Sequence, residues 1–121
     1  MPRRVLVVDD SAPLRAVIHA TLKLGGYEVV EAASGPQALA LVDNEPIDMI
    51  VTDVNMPMMS GYAFVREVRS RPLHKTTPIL LLTVESSDVH KAKAREVGAT
   101  GWITKPIQAE SLLETIARVL A

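Results

Sequence analysis

Short apolar runs alternate with amphipathic segments along the whole chain. The apolar runs are rich in Val, Ile and Leu and predict five strands, at 4–8, 27–32, 48–53, 77–83 and 101–104. The amphipathic segments predict five helices, at 12–26, 34–46, 61–71, 86–98 and 108–121. In the first helix, the stripe expected to face the core consists of Leu14, Val17, Ile18 and Leu22.

Strands that alternate with helices predict an α/β fold, with a parallel sheet covered by helices on both faces. The strands are almost continuously apolar, and only burial on both faces tolerates such runs. The length of 121 residues suits one domain. No linker or repeat interrupts the pattern, so we expect a single domain over 1–121.

Composition and charge narrow the functions that the chain can have. A net charge of −1 argues against a nucleic-acid binder, which would be distinctly basic. Because there is no cysteine, disulfides and thiolate sites are excluded. No apolar run is long enough for a signal peptide or a membrane span, so we expect no membrane contact and a cytoplasmic location. Three histidines lack metal-ligand spacing and are expected at the surface: His19, His74 and His90.

Polar residues follow the carboxyl ends of four predicted strands. They are Asp9-Asp10 after the first strand, Asp53 at the third, Thr83 at the fourth and Lys105-Pro106 after the fifth. The second strand, ending in Glu31, offers nothing similar. In open α/β sheets, ligands bind beyond the carboxyl ends of the strands, where the strand order reverses. In a sheet of order 2-1-3-4-5, that point lies between strands 1 and 3, the two strands with aspartates at their ends.

Three carboxylates gathered at one point repel one another, on the order of 4 kcal/mol for a pair about 4 Å apart at an effective dielectric near 20. Either the carboxylates take up protons or a cation binds among them, and a donor set made only of oxygen suits a hard ion such as Mg²⁺. Lys105 adds a positive charge and Thr83 a hydroxyl donor, the groups that stabilise a phosphoryl group in transfer. Asp53 lies on the central strand between these groups and the acid pair, so it is the expected acceptor.

On these residues, the chain resembles the receiver domains of two-component response regulators over essentially its whole length. The stretch "DVNMPMMSG" around Asp53 strengthens the resemblance. Among receivers the chain is most similar to the single-domain, CheY-like chemotaxis proteins, as "LLTVESSD" and "GATGWITKPI" also indicate. The resemblance implies a flavodoxin-like doubly wound (βα)5 fold, a sheet of order 2-1-3-4-5 and a receiver with no output domain.

The resemblance also implies a role for each site residue. Asp53 would be the phosphoacceptor, with Thr83 and Lys105 on the phosphoryl oxygens. The implied ligands of Mg²⁺ (or Mn²⁺) are Asp10 and Asp53 directly, Asp9 through water, and the backbone carbonyl of Asn55. Such a module is not an enzyme beyond the phosphorylation and dephosphorylation of its own aspartate.

Five further positions concern switching and the lifetime of the phosphate. In the family, the threonine moves toward the phosphate and an aromatic residue on strand 5 turns inward; here that residue is Trp102. Pro106 would follow a cis peptide bond, which X-Pro sequences permit. Asn55 and Glu85 occupy the positions that tune hydrolysis, and Val84 would restrict access to the phosphate. We therefore expect a short-lived aspartyl phosphate, slowed by Val84.

The implied partners are a CheA-like sensor histidine kinase, a flagellar motor switch protein and a phosphatase, with the chain as a monomer. Helix 4, strand 5 and helix 5 would form the face that changes. A phosphate sink for the kinase and a regulator of another pathway are alternatives. The basic run on helix 4 is either a solvated face or part of the partner surface; it consists of His90, Lys91, Lys93 and Arg95.

Other functional classes fit the residues less well. A haloacid-dehalogenase-like phosphatase needs a second acid two residues past the nucleophile, where this chain has Asn55. An FMN carrier needs a phosphate-binding loop after strand 1, where "DDSAPLR" places two negative charges. A receiver that has lost phosphorylation is disfavoured because all five site residues are present.

Overall fold

The computed structural model describes residues 2–84 and 87–121. Within these residues, five strands alternate with five helices. The strands are β1 (Arg4–Val8), β2 (Glu28–Ala32), β3 (Met49–Asp53), β4 (Ile79–Thr83) and β5 (Gly101–Thr104). The helices are α1 (Ala12–Leu24), α2 (Gly35–Asn44), α3 (Gly61–Arg69), α4 (Asp88–Val97) and α5 (Ala109–Leu120). All ten elements overlap the segments predicted from periodicity.

The strands form one parallel sheet in the order β2-β1-β3-β4-β5, which confirms the flavodoxin-like doubly wound fold. The strand order reverses between β1 and β3. Near the carboxyl edge, the paired residues are Val8 with Thr52, Asp53 with Leu82, and Thr83 with Thr104. This register brings the ends of four strands to one side of the sheet.

The core lies on both faces of the sheet because successive residues of a strand point to opposite faces. Leu6 and Val8 of β1 join a cluster with α2, α3 and α4, which contains the fully buried Phe64. Val5 and Val7 join a second cluster with α1 and α5. The apolar strands are thus explained by burial on two sides.

Four helices begin at a serine whose hydroxyl accepts a backbone N–H from the first turn, a frequent N-cap arrangement. These serines are Ser11, Ser34, Ser60 and Ser87. Helix α4 ends at Gly98, whose φ of 92° places it in the left-handed region that favours glycine.

Two expectations about burial are wrong. Val17 is 59% exposed, and Thr21 lies on the buried side of α1 instead, with its hydroxyl bonded to the Val17 carbonyl. His74 is buried in a short 3-10 turn, Pro72–His74, where its Nδ1 lies 2.8 Å from the Thr77 hydroxyl. A turn of three residues is too short to leave a periodic signal. In the described ranges, the helices are too short or too polar to cross a membrane.

Candidate functional site

Three carboxylates meet at the carboxyl edge of the sheet, where the strand order reverses. Asp9 and Asp10 follow β1, and Asp53 is the last residue of β3. One carboxylate oxygen from each lies within 4.8 Å of the others. Asp9 and Asp53 are buried, whereas Asp10 is exposed. The structure therefore brings together the three acids that strand order predicts to be neighbours.

Lys105 supplies a positive charge to this cluster from the end of β5. Its Nζ lies 3.2 Å from Asp53 Oδ1 and 3.9 Å from Asp9 Oδ2. Its backbone N–H donates to the Thr83 carbonyl at 2.7 Å, which joins the ends of β4 and β5. The peptide bond from Lys105 to Pro106 is cis.

Asp9 carries the least satisfied group of the cluster. Its Oδ1 accepts the Ser11 N–H at 2.8 Å, but its buried Oδ2 has no hydrogen-bond partner among the described residues. Burial raises the pKa of Asp9, the Ser11 bond lowers it, and the Asp53 charge raises it again. A buried carboxylate oxygen without a hydrogen bond, in a cluster of three carboxylates, fits a hard divalent cation such as Mg²⁺.

Without a metal, an Asp9→Asn variant should be more stable than the wild type at neutral pH. A carboxyl group whose pKa is raised in the folded state lowers the stability of the protein as it ionises. This loss develops as pH rises from the ordinary pKa of the group, 3.8, through its folded-state pKa. Urea unfolding in EDTA should show a higher midpoint for the variant at pH 7 and a vanishing difference below pH 3.8. Asp48→Asn, at the opposite end of β3, is the control. A midpoint for Asp9→Asn at or below that of the wild type contradicts the prediction.

Trp102 stands on β5 beside a cavity too small to receive it. The cavity has a volume of about 10 Å³, room for one water molecule. Thr83, at the buried end of β4, lines it together with Tyr62 of α3 and Ala94 of α4. Because an indole ring is far larger, Trp102 cannot turn into this space unless residues that line the cavity move.

The basic residues of α4 lie over aromatic rings. Lys91 Nζ is 5.7 Å and Arg95 Cζ 5.8 Å from the ring centroid of Trp102, and Lys93 Nζ is 5.1 Å from that of Tyr62. These are cation–π distances, worth about 0.5–1 kcal/mol each at exposed sites. Three of the four basic residues of α4 therefore contact aromatic rings, and two of these contact the half-buried Trp102.

Gly61, the first residue of α3, lies directly against the backbone at the end of β3. A Cβ at this position would overlap the Asp53 carbonyl oxygen and the Val54 Cα. The same carbonyl accepts the Thr52 hydroxyl at 3.1 Å, and the Gly61 N–H donates to the Val54 carbonyl at 2.8 Å. Glycine is required here by close approach and not by a positive φ.

Sequence reasoning missed a charged cluster behind Asp9. Arg15 and His19 of α1 both contact the Glu31 carboxylate at the end of β2, at 3.0 Å and 2.7 Å. Arg15 also donates to the Asp9 carbonyl at 2.6 Å. Arg15 and His19 are one helical turn apart and share a face. That spacing, beside a strand that ends in an acid, is the signal that could have revealed the cluster.

Two of the three remaining predicted positions lie within the described residues. Asn55 is exposed, two residues past Asp53. Val84, next to Thr83, is 65% exposed. Glu85 lies outside the described residues.

Comparison with known proteins identifies the family. The model of the response regulator receiver domain matches residues 5–117. The phosphate regulon transcriptional regulatory protein PhoB of Pseudomonas aeruginosa is 35% identical over 118 residues, which are 98% of this chain and 52% of PhoB. The response regulator protein FleR of the same organism is 36% identical over 118 residues, 98% of this chain and 24% of FleR. The chain thus spans about half or less of these curated relatives.

Solved structures agree with that identification. The chemotaxis response regulator CheY4 of Vibrio cholerae is 48% identical and superposes with a TM-score of 0.96 over 99% of this chain and all of CheY4. The receiver domain of the sensor histidine kinase PA1611 from Pseudomonas aeruginosa, solved with magnesium in its active-site cleft, is 27% identical with a TM-score of 0.91, over 99% of this chain and 98% of that domain. The chain therefore belongs to the response regulator receiver domain family and is CheY-like in fold.

Proposed function

We propose that this chain accepts a phosphoryl group from a sensor histidine kinase on Asp53, in a Mg²⁺-dependent reaction. Receiver domains take phosphoryl groups from histidine kinases and bind Mg²⁺ at an acidic pocket. The observation that carries the proposal is the contact of Lys105 Nζ with Asp53 Oδ1, at 3.2 Å, inside a cluster of three carboxylates. An isolated strand-end aspartate would need neither the lysine nor the two other acids.

In this proposal, the acids divide between nucleophile and metal ligands. Bound Mg²⁺ supplies positive charge that offsets the repulsion among the carboxylates and the charge on the phosphoryl oxygens. Its ligands would be Asp10 and Asp53 directly, Asp9 through water, and the Asn55 carbonyl. Asp9 Oδ2, which has an ion pair with Lys105 at 3.9 Å but no hydrogen bond among the described residues, supports this assignment, because a buried acceptor without a hydrogen bond is costly unless a ligand satisfies it.

The transfer needs little from the protein beyond position and charge. A carboxylate oxygen of Asp53 attacks the phosphorus while the bond to the imidazole nitrogen of the donor breaks. Lys105 and the Thr83 hydroxyl, from the ends of β5 and β4, would bind oxygens of the transferred group. No external substrate is turned over, so the chain acts as a switch with chemistry confined to its own aspartate.

The switch would run from Thr83 through Trp102 to the face formed by α4, β5 and α5. Movement of the Thr83 hydroxyl toward the phosphate opens space in the cavity that it lines. Since about 10 Å³ cannot hold an indole, we expect α4 to shift together with Trp102. The contacts of Lys91 and Arg95 with the ring couple that movement to the charge pattern of α4.

Trp102 is the single tryptophan, so its fluorescence tests the site and its coupling together. Addition of Mg²⁺ with beryllofluoride should change the emission, because the ring's cationic neighbours move. Asp53→Asn should remove the response, whereas Asp43→Asn, at an exposed aspartate far along α2, should keep it. A wild-type emission that ignores both Mg²⁺ and beryllofluoride contradicts the proposed function.

For the target, we propose a flagellar motor switch protein, supplied by a CheA-like kinase, because of the likeness to a chemotaxis regulator over the whole of its length. The alternatives are a phosphate sink and a regulator of another pathway. Capture on the immobilised chain, with and without beryllofluoride and Mg²⁺, separates them. Gain of motor protein supports the first, and gain of kinase alone supports the sink.

The lifetime of the phosphate would depend on Asn55, Glu85 and Val84, and we propose a short-lived aspartyl phosphate. The exposed Val84 would slow hydrolysis by limiting the approach of water from its side. A label that persists long after removal of the donor would count against this assignment.

A further inference from the structure

The charged cluster of Arg15, His19 and Glu31 is not used by any step above. Its side chains are only partly exposed, with 17% of Arg15 and 34% of Glu31 accessible. Arg15 Nε donates to Glu31 Oε1 at 3.0 Å, and His19 Nδ1 lies 2.7 Å from Glu31 Oε2. Both guanidinium and carboxylate are thus held in one orientation, with Glu31 bridging α1 and β2.

The Nη1 atom of Arg15 extends from this cluster to the Asp9-Asp10 segment. Arg15 Nη1 donates to the Asp9 carbonyl oxygen at 2.6 Å. The Asp9 N–H donates to the Ala32 carbonyl at 3.1 Å, and its Oδ1 accepts the Ser11 N–H at 2.8 Å. Every polar group of Asp9 except Oδ2 is therefore fixed, and the orientation of the peptide that leads into Asp10 is fixed with it.

Arg15 reaches the site through its hydrogen bond to the Asp9 carbonyl oxygen. Its own charge is directed at Glu31, and it bonds to the backbone of Asp9 and not to the side chain. Replacing the forked guanidinium by a lysine ammonium would keep the charge but lose the bridge between two acceptors.

We propose that Arg15 is a positioning residue for the metal site, which orients the Asp9-Asp10 segment from behind through Glu31. This proposal rests on the proposed function, because it concerns the same Mg²⁺ site. The competing explanation is a clamp between α1 and β2 that adds stability and leaves the site unaffected. Partners behind the ligands of a metal typically change its affinity by about 10–100-fold.

Calorimetric titration with Mg²⁺ alone, on the full chain, tests the proposal. Arg15→Met and Arg15→Lys should both weaken Mg²⁺ binding by about tenfold or more. Glu31→Gln keeps a hydrogen-bond acceptor for Arg15, so it should weaken Mg²⁺ binding less than either substitution of Arg15. Arg15→Lys, a milder change, remains informative if Arg15→Met fails to fold.

Arg4 provides the matched control. It lies at the other end of β1, where it pairs with Glu28 at 3.4 Å and with Glu45 at 3.0 Å. Arg4→Met should lower the thermal midpoint by about as much as Arg15→Met and leave Mg²⁺ affinity unchanged. A clamp without a positioning role predicts the same affinity in both variants.

Three outcomes overturn the proposal in distinguishable ways. If Arg15→Met binds Mg²⁺ with wild-type affinity, the cluster is only a clamp between α1 and β2. The proposed function is not affected by that result. Wild-type affinity in Arg15→Lys alone shows that charge is sufficient and that the forked geometry is not needed. A wild-type chain that binds no Mg²⁺ removes the proposed function and this inference together.

Discussion

An Asp53→Asn variant should take up no phosphoryl group from acetyl phosphate in the presence of Mg²⁺. Asparagine keeps the shape of the side chain at the buried end of β3 but lacks a nucleophilic carboxylate oxygen. It also removes the negative charge that Lys105 Nζ contacts at 3.2 Å. Intact-mass spectrometry should therefore show one phosphoryl group on the wild type and none on the variant.

Asp48→Asn is the control for this experiment, since Asp48 precedes the same strand at the opposite edge of the sheet. Its Oδ2 accepts the Arg4 N–H at 2.7 Å, a bond that the asparagine carbonyl can replace. This variant should be labelled like the wild type. An acid-labile label that survives in Asp53→Asn would move the acceptor to another residue.

Gly61→Ala should lower the free energy of unfolding by about 3 kcal/mol and slow phosphorylation as well. The new Cβ would overlap backbone atoms of Asp53 and Val54, which no change of rotamer can relieve. Overpacking of this kind typically costs about 1–3 kcal/mol, and rigid backbone on both sides places this variant at the upper end. Urea unfolding and the rate of label uptake measure the two effects.

The control is Gly101→Ala in β5. There the nearest atom to the new Cβ is the end of the Leu80 side chain, at 3.3 Å, which can shift. We expect a change of less than about 1 kcal/mol and an unchanged rate of phosphorylation. Equal effects of the two substitutions would show that the contact of Gly61 with the acceptor strand is unimportant.

The fold was predictable because its signals are local and repeated. Apolar runs such as that of β1 report burial on both faces, and serine and glycine residues mark helix ends. The acid cluster was predictable for a topological reason, since the ends of parallel strands meet at one edge. Neither inference required knowledge of any individual side-chain contact.

What sequence reasoning missed depends on packing between distant elements. The exposure of Val17 depends on which side of α1 packs against the sheet, which the apolar spacing alone did not predict correctly. The burial of His74 and the contacts of Arg15 depend on loops and on neighbouring strands. The contacts of Lys91 and Arg95 with Trp102 could not be predicted because they depend on how α4 packs beside β5. The need for glycine at position 61 was also out of reach, because sequence cannot reveal how closely two backbones approach.

The strand order has a consequence for how the chain acquires its activity. The pocket draws on β1, β3, β4 and β5, and its lysine follows the strand that is synthesised last. A chain in which β5 has not yet paired with β4 lacks the cation beside the acceptor, whatever the state of the other strands. Under the proposed function, copies in which β5 is frayed would therefore accept a phosphoryl group poorly. Phosphorylation would then report that the fifth strand is in place in the sheet.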